Sequence, residues 1–187
     1  MNARNHVFAL LLIAALTLPS ARADVTDSAA TGFTIKITAD IHAAPADVYR
    51  RLLRVGEWWS SNHTFSGDAH NLSIEERPMG CFCEKLPNGG AVRHMEVVFL
   101  QPGTVLRLSG ALGPLQAMAA NGSMTFQLSP TSSGTKLDFT YAVTGYSPQG
   151  MNSLAPIVDK VLTEQITRFK NYAETGNPGP ATQHNPK

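Results

Sequence analysis

The stretch from Leu154 to Tyr172 constrains the architecture more tightly than any other part of the chain. Leu154, Ile157, Val158, Val161, Leu162, Ile166, Phe169 and Tyr172 recur at the three, four and seven spacing of one helix face. Asp159, Lys160, Glu164, Arg168 and Lys170 occupy the other face. About 20 residues at 1.5 Å each make a helix roughly 30 Å long. An apolar stripe of that length needs one broad apolar surface to cover it, and the upstream sequence offers strands.

Phe33, Ile35, Ile37, Ala39 and Ile41 alternate with Thr34, Lys36, Thr38 and Asp40, the period of a half-buried strand. The strand ends at Ala44-Pro45. Pro45 suits the first turn of a helix carrying Val48, Leu52 and Leu53, and a short helical turn with Trp58 and Trp59 follows. Further strands are predicted near residues 71–77, 80–86, 91–101, 104–110, 123–129 and 135–144.

Turn chemistry sets the expected registers. Asn88-Gly89 supplies the positive φ of a tight hairpin, which places Leu86 opposite Ala91, Glu84 opposite Arg93 and Phe82 opposite Met95. Pro102-Gly103 places Phe99 opposite Leu106 and Val97 opposite Leu108. A loop at residues 131–134 pairs Leu128 with Leu137, Phe126 with Phe139 and Met124 with Tyr141. Every apolar stripe then lies on one side, while Glu96, Arg107, Gln127 and Asp138 lie on the other. The predicted fold is α+β: a curved antiparallel sheet of about seven strands wrapped around a long C-terminal helix, with two short helices after the first strand. One domain is expected over residues 33–175.

At the N-terminus a polar stretch with Arg4 precedes the apolar run Val7 to Leu18 and ends in Ala21-Arg22-Ala23. That order predicts a cleaved secretory signal over residues 1–23, a linker over residues 24–32, and a periplasmic or secreted product. The run is far shorter than the roughly 20 residues that span a bilayer, so no stable membrane anchor is expected after cleavage. Residues 176–187, rich in Pro, Asn and Gly, read as a disordered tail. With 15 Lys and Arg scattered among 14 Asp and Glu, the chain lacks the basic patch that nucleic acid requires.

Few side chains point to chemistry. Glu84 and Arg93, paired on the apolar face, would orient a polar head group or form a rim salt bridge. Cys81 and Cys83 share a face with His94 in the expected register. That leaves open a strained disulfide, a weak metal site or ordinary thiols. Trp58 and Trp59 would stack on a planar ligand or pack in the core. His63 and His70 are candidate proton carriers in a polar loop. No nucleophile-elbow glycine pattern surrounds Ser60 or Ser61.

Several segments carry a family resemblance: Ile41-His42-Ala43-Ala44-Pro45-Ala46-Asp47-Val48-Tyr49, Glu57-Trp58-Trp59, Gly80 before a strand, Phe99-Leu100-Gln101-Pro102 before a hairpin, and the closing helix. With the order of elements, they make the chain resemble the SRPBCC (START-like, helix-grip) superfamily, near the polyketide cyclase/dehydrase-like proteins and the homologues of the Hsp90 ATPase activator. The predicted leader departs from that last branch, which is usually cytoplasmic. The resemblance implies a cofactor-free cavity between sheet and helix that binds a small hydrophobic molecule, lipid-, polyketide- or aromatic-like. Its expected lining is Trp58, Trp59, Phe82, Glu84, Arg93, Met95, Val97 and Phe99, then Leu106, Leu108, Met124, Phe126, Phe139 and Tyr141, with Val158 and Leu162 from the helix. The small, apolar residues 110–120 would form a mouth or lid. Two other functions fit the same fold. One is a cyclase, dehydratase or isomerase using Glu84, Arg93, Tyr141 or Tyr146. The other is a chaperone-activator-like interaction module using a convex strip of Val92, Val98 and Val105.

Overall fold

The computed structural model describes residues 22–181; the remainder of the predicted leader and the last six residues lie outside the described residues. The elements run β1 (Arg22–Ala29), β2 (Gly32–Ile41), α1 (Pro45–Leu52), α2 (Val55–Trp58), β3 (Leu72–Ile74), β4 (Cys81–Lys85), β5 (Ala91–Gln101), β6 (Val105–Gly110), β7 (Asn121–Thr131), β8 (Gly134–Thr144) and α3 (Ala155–Thr175). The strands form one antiparallel sheet in the order β1-β2-β8-β7-β6-β5-β4-β3. This is the helix-grip arrangement, with eight strands where about seven are predicted. The extra strand is β1, which covers the last two residues of the predicted leader and most of the segment read as a linker. It pairs with β2 from Arg22 opposite Thr38 to Ala29 opposite Gly32. Exposed from Thr26 to Ala29 and paired along β2 by backbone bonds, this edge strand carries no period-two apolar signal.

In β2 the alternation appears as expected, with Phe33, Ile35, Ile37, Ala39 and Ile41 all buried. Pro45 opens α1, which buries Val48, Tyr49 and Leu52. Trp58, fully buried, donates its indole N–H to Leu52 O at 3.1 Å and lies 5.1 Å from the Phe169 ring. α3 buries Leu162, Gln165, Ile166, Phe169, Tyr172 and Ala173 and packs over β1, β2, α1 and α2. Removing Phe169 from water contributes roughly 2–3 kcal/mol. The helix ends at Gly176, whose φ of 79° turns the chain and lets its N–H bond Tyr172 O. Glu174 ties this end to the strand side, accepting hydrogen bonds from the His42 N–H and the Lys170 ammonium.

Two β-bulges revise the expected registers. The β4–β5 connection is five residues long, so Lys85 faces Ala91, Glu84 faces Val92 and Cys83 faces Arg93. One extra residue in β5, His94, then restores the expected match of Phe82 with Met95. The Glu84–Arg93 pair therefore does not form. Glu84 points inward, whereas Arg93 lies on the exposed side and pairs with Glu96 at 3.0 Å. Between β5 and β6, Val97 faces Leu108 but Phe99 faces Arg107, with Val98 as the extra residue. Phe99 is thereby turned to the outer face, where the Arg107 guanidinium sits 5.6 Å over its ring. The β7–β8 pairs Leu128–Leu137, Phe126–Phe139 and Met124–Tyr141 are as expected.

Within the predicted tail, the Pro178 and Gly179 carbonyls accept hydrogen bonds from Asn171 and Arg168, which lays these residues along α3. Among the described residues no helix is long and apolar enough to cross a membrane.

Candidate ligand-binding cavity

α3 rests on the β1–β2 side of the sheet, which leaves the β3–β5 side to be covered by loops. Beneath them lies a cavity of about 370 Å³, within the usual range for small-molecule sites. Leu154, just before α3, and Ile157, Val158, Val161 and Leu162 of its N-terminal half form one side. Residues after α2 supply Trp59, His63, Thr64 and Phe65, and the sheet contributes Leu72, Phe82 and His94. The β6–β7 connection completes the wall with Leu112, Gly113, Pro114, Leu115 and Met118. Ile157 and Phe65, 63% and 54% exposed, mark the rim.

The connection that roofs the cavity is anchored at both ends of its first turn. Leu112 N–H bonds the buried Tyr141 hydroxyl at 3.1 Å, and the Gln116 amide donates to Arg93 O at 2.8 Å. Burial raises the Tyr141 pKa to about 12, so the phenol stays protonated at neutral pH. On the other side His63 is 3.3 Å from Glu164 of α3, and the Trp59 indole donates to His63 O at 3.0 Å.

Behind the wall lies a buried ionisable pair. Glu84, with no exposed surface, accepts hydrogen bonds from the Phe65 N–H at 3.1 Å, from the Ser66 N–H, and from His94 Nε2 at 3.0 Å. Burial pushes the carboxyl up, but the bonds from Ser66, Phe65 and His94 together outweigh it, so its pKa is held below the ordinary carboxylate value. Burial pushes His94 down more than Glu84 raises it, which keeps the imidazole neutral. An ionised Glu84 can only accept, so the network assigns the proton of His94 to Nε2 and leaves Nδ1 with a bare lone pair. That Nδ1 is buried without a hydrogen-bond partner, a condition that costs about 1–3 kcal/mol. The ring stacks on Phe65 at 5.9 Å and tilts against Phe82 at 5.2 Å.

A family model described as "Polyketide cyclase / dehydrase and lipid transport" matches residues 32–174, from β2 through nearly all of α3. The chain belongs to this family. Solved structures with the same fold include a conserved protein of unknown function from Enterococcus faecalis, with a TM-score of 0.57 and 15% identity over 88% of this chain and 82% of that one. The Aha1 dimer from Colwellia psychrerythraea has a TM-score of 0.56 and 18% identity, over 76% and 97% of the two chains. A protein from Mesorhizobium loti reaches 0.54 with 18% identity, over 74% and 94%. At such identities the likeness is one of fold. A comparison with curated protein sequences finds no match.

In this polyketide cyclase / dehydrase and lipid transport family member, four of the predicted lining residues stand on the cavity wall: Trp59, Phe82, Val158 and Leu162. Trp58, Met95, Val97, Leu106, Leu108, Met124, Phe126, Phe139 and Tyr141 pack in the core instead. Their stripe continues past the cavity, and the sequence does not say where packing stops and space begins. Glu84 stands behind the wall and meets it through His94 and the Phe65 N–H, while Arg93 and Phe99 are turned out of the interior by the bulges. Tyr146 is 72% exposed, and His70 pairs with Asp68 in the open. Cys81 and Cys83 form a disulfide with their Cα atoms 5.3 Å apart. The bond consumes the two thiolates that a metal would need, and among the described residues no group of three metal-ligating side chains occurs. On the outer face Val98 is exposed, Val92 half-buried and Val105 buried, so the expected convex strip is broken.

Sequence reasoning missed His63, Thr64, Phe65 and Leu72 as wall residues, as well as His94 as a cavity group. Phe65, a lone apolar residue in the polar run Thr64 to Asp68, is the one signal that could have been read.

Proposed function

We propose that the protein is an exported carrier or sensor that holds a small hydrophobic molecule, lipid-, polyketide- or aromatic-like, in the cavity beneath α3. The observation that carries this reading is the cavity of about 370 Å³ with an almost wholly apolar wall. A void of that size in a domain this small forgoes packing energy, which an apolar ligand would restore. The family's description, which includes lipid transport, supports the same class of ligand. Export is supported by the Arg4 to Ala23 leader pattern and by the Cys81–Cys83 disulfide, a bond suited to an oxidising compartment.

Native mass spectrometry of the purified protein, with titration of an apolar fluorescent dye, tests the binding reading. A co-purifying lipid-like mass or one-to-one dye uptake is expected. A protein free of bound molecules that takes up no dye would refute it. Expression with the native N-terminus should yield a processed chain beginning near Asp24; an uncleaved cytosolic product would refute export.

A second reading is an enzyme of the cyclase, dehydratase or isomerase type, favoured by the buried Glu84–His94 pair at the wall. It predicts that a bound polyketide-like substrate leaves chemically changed, where a carrier returns it intact.

A further inference from the structure

Four wall side chains carry nitrogen or oxygen: Trp59, His63, Thr64 and His94. Three are engaged within the protein. The Trp59 indole donates to His63 O, the His63 ring meets Glu164, and the Thr64 hydroxyl donates to Ser61 O. His94 is different, since Glu84 takes its Nε2–H while Nδ1 meets nothing.

The construction around His94 is elaborate for a residue that only fills space. A β-bulge turns it inward next to Met95, so that two successive residues of β5 are buried. Gly110 opposite is held at a φ of 144°, and a Cβ there would come within 2.8 Å of His94 O, so the bulge is accommodated only by a residue without a side chain. Glu84 is fixed by the Phe65 and Ser66 N–H groups and in turn fixes the ring. Phe65, the ring stacked over His94, sits half-exposed at the rim, so a ligand entering there displaces an apolar cover. An oriented imidazole on the wall of an apolar cavity, its buried Nδ1 without a partner beneath the Phe65 cover, complements a hydrogen-bond donor that moves that cover aside.

We infer that the cavity takes an apolar molecule bearing a hydroxyl, a phenol or an alcohol, whose O–H donates to His94 Nδ1 while Glu84 holds the ring in place. This deepens the binding reading above and rests on it. An ether or hydrocarbon of the same shape has no proton to give and leaves the lone pair unmet.

The test uses three probes of matched shape, 1-naphthol, 1-methoxynaphthalene and naphthalene, titrated into the purified protein by calorimetry. 1-Naphthol should bind about ten-fold more tightly than the other two, the worth of one well-placed hydrogen bond. In the 15N spectrum of the unmutated protein, the His94 Nδ1 resonance should move upfield with 1-naphthol and stay in place with 1-methoxynaphthalene. His94→Phe should keep naphthalene binding and bring the three affinities to parity. Equal affinities in the unmutated protein, an unmoved Nδ1 resonance, or a naphthol preference that survives His94→Phe would overturn the inference while the apolar cavity stands. Failure of all three probes to bind would overturn the cavity reading and this one together.

Discussion

The Tyr141 hydroxyl, on the sheet, accepts the Leu112 N–H at 3.1 Å, and this bond holds the first turn of the cavity roof against the floor. Tyr141→Phe keeps the ring and its packing but leaves Leu112 without its partner. A loss of about 1–2 kcal/mol is expected in urea denaturation, with faster amide exchange confined to residues 112–118. Unchanged exchange in that segment would show that the roof is held by other contacts.

Proton linkage at the buried pair has a definite sign. His94 is depressed below its ordinary 6.5, so as pH falls through that value the unfolded chain gains a proton that the folded chain refuses, and stability drops. Glu84 lies below its ordinary 4.5, so its contribution is present above that pH and is lost as pH falls through the folded value. His70 is raised by Asp68 and acts in the opposite direction, but both are exposed and the effect is small. Stability should therefore decline in two stages on acidification, with His94→Phe removing the first. Urea midpoints at several pH values from about 7.5 down to about 3 check this; an unaltered upper slope in the variant would contradict it.

Gly110→Ala should be costly although it adds one methyl group. The new Cβ would lie 2.8 Å from His94 O and 2.9 Å from Met95 Cα, both backbone atoms, at a φ of 144°. A destabilisation of about 2–3 kcal/mol is expected, with loss of dye binding as the bulge shifts. Wild-type stability would mean that the bulge does not press on Gly110.

The long helix should respond unevenly along its length. Leu162 is 1% exposed, and Leu162→Ala should cost about 2–5 kcal/mol. Ile157, at the rim, should tolerate alanine within about 0.5 kcal/mol while weakening binding of the apolar dye. Equal stability losses at the two positions would mean that both halves of α3 are docked alike.

Much of the architecture could be read residue by residue. The alternation in β2, the Pro45 helix start, the stripe from Leu162 to Tyr172 and the paired apolar residues of β7 and β8 depend on local period and turn chemistry. These are written in the chain itself. The Phe82–Met95 match came out as expected for a subtler reason: a longer turn and a bulge at His94 shift the register by one residue each, in opposite directions.

The amino-acid sequence alone determined the class of fold, the long helix and the inward sides of β2, β7 and β8, because hydrophobic burial imposes period 2 or 3.6 on any half-buried element. Tertiary structure alone decided which of those apolar residues border empty space, that Glu84 partners His94 and not Arg93, and that Cys81 bonds Cys83. A bulge inserts one residue where strands are fitted to a curved sheet, and curvature belongs to the assembled sheet and to no single segment of it. The cavity likewise exists because α3 covers only part of the curved sheet.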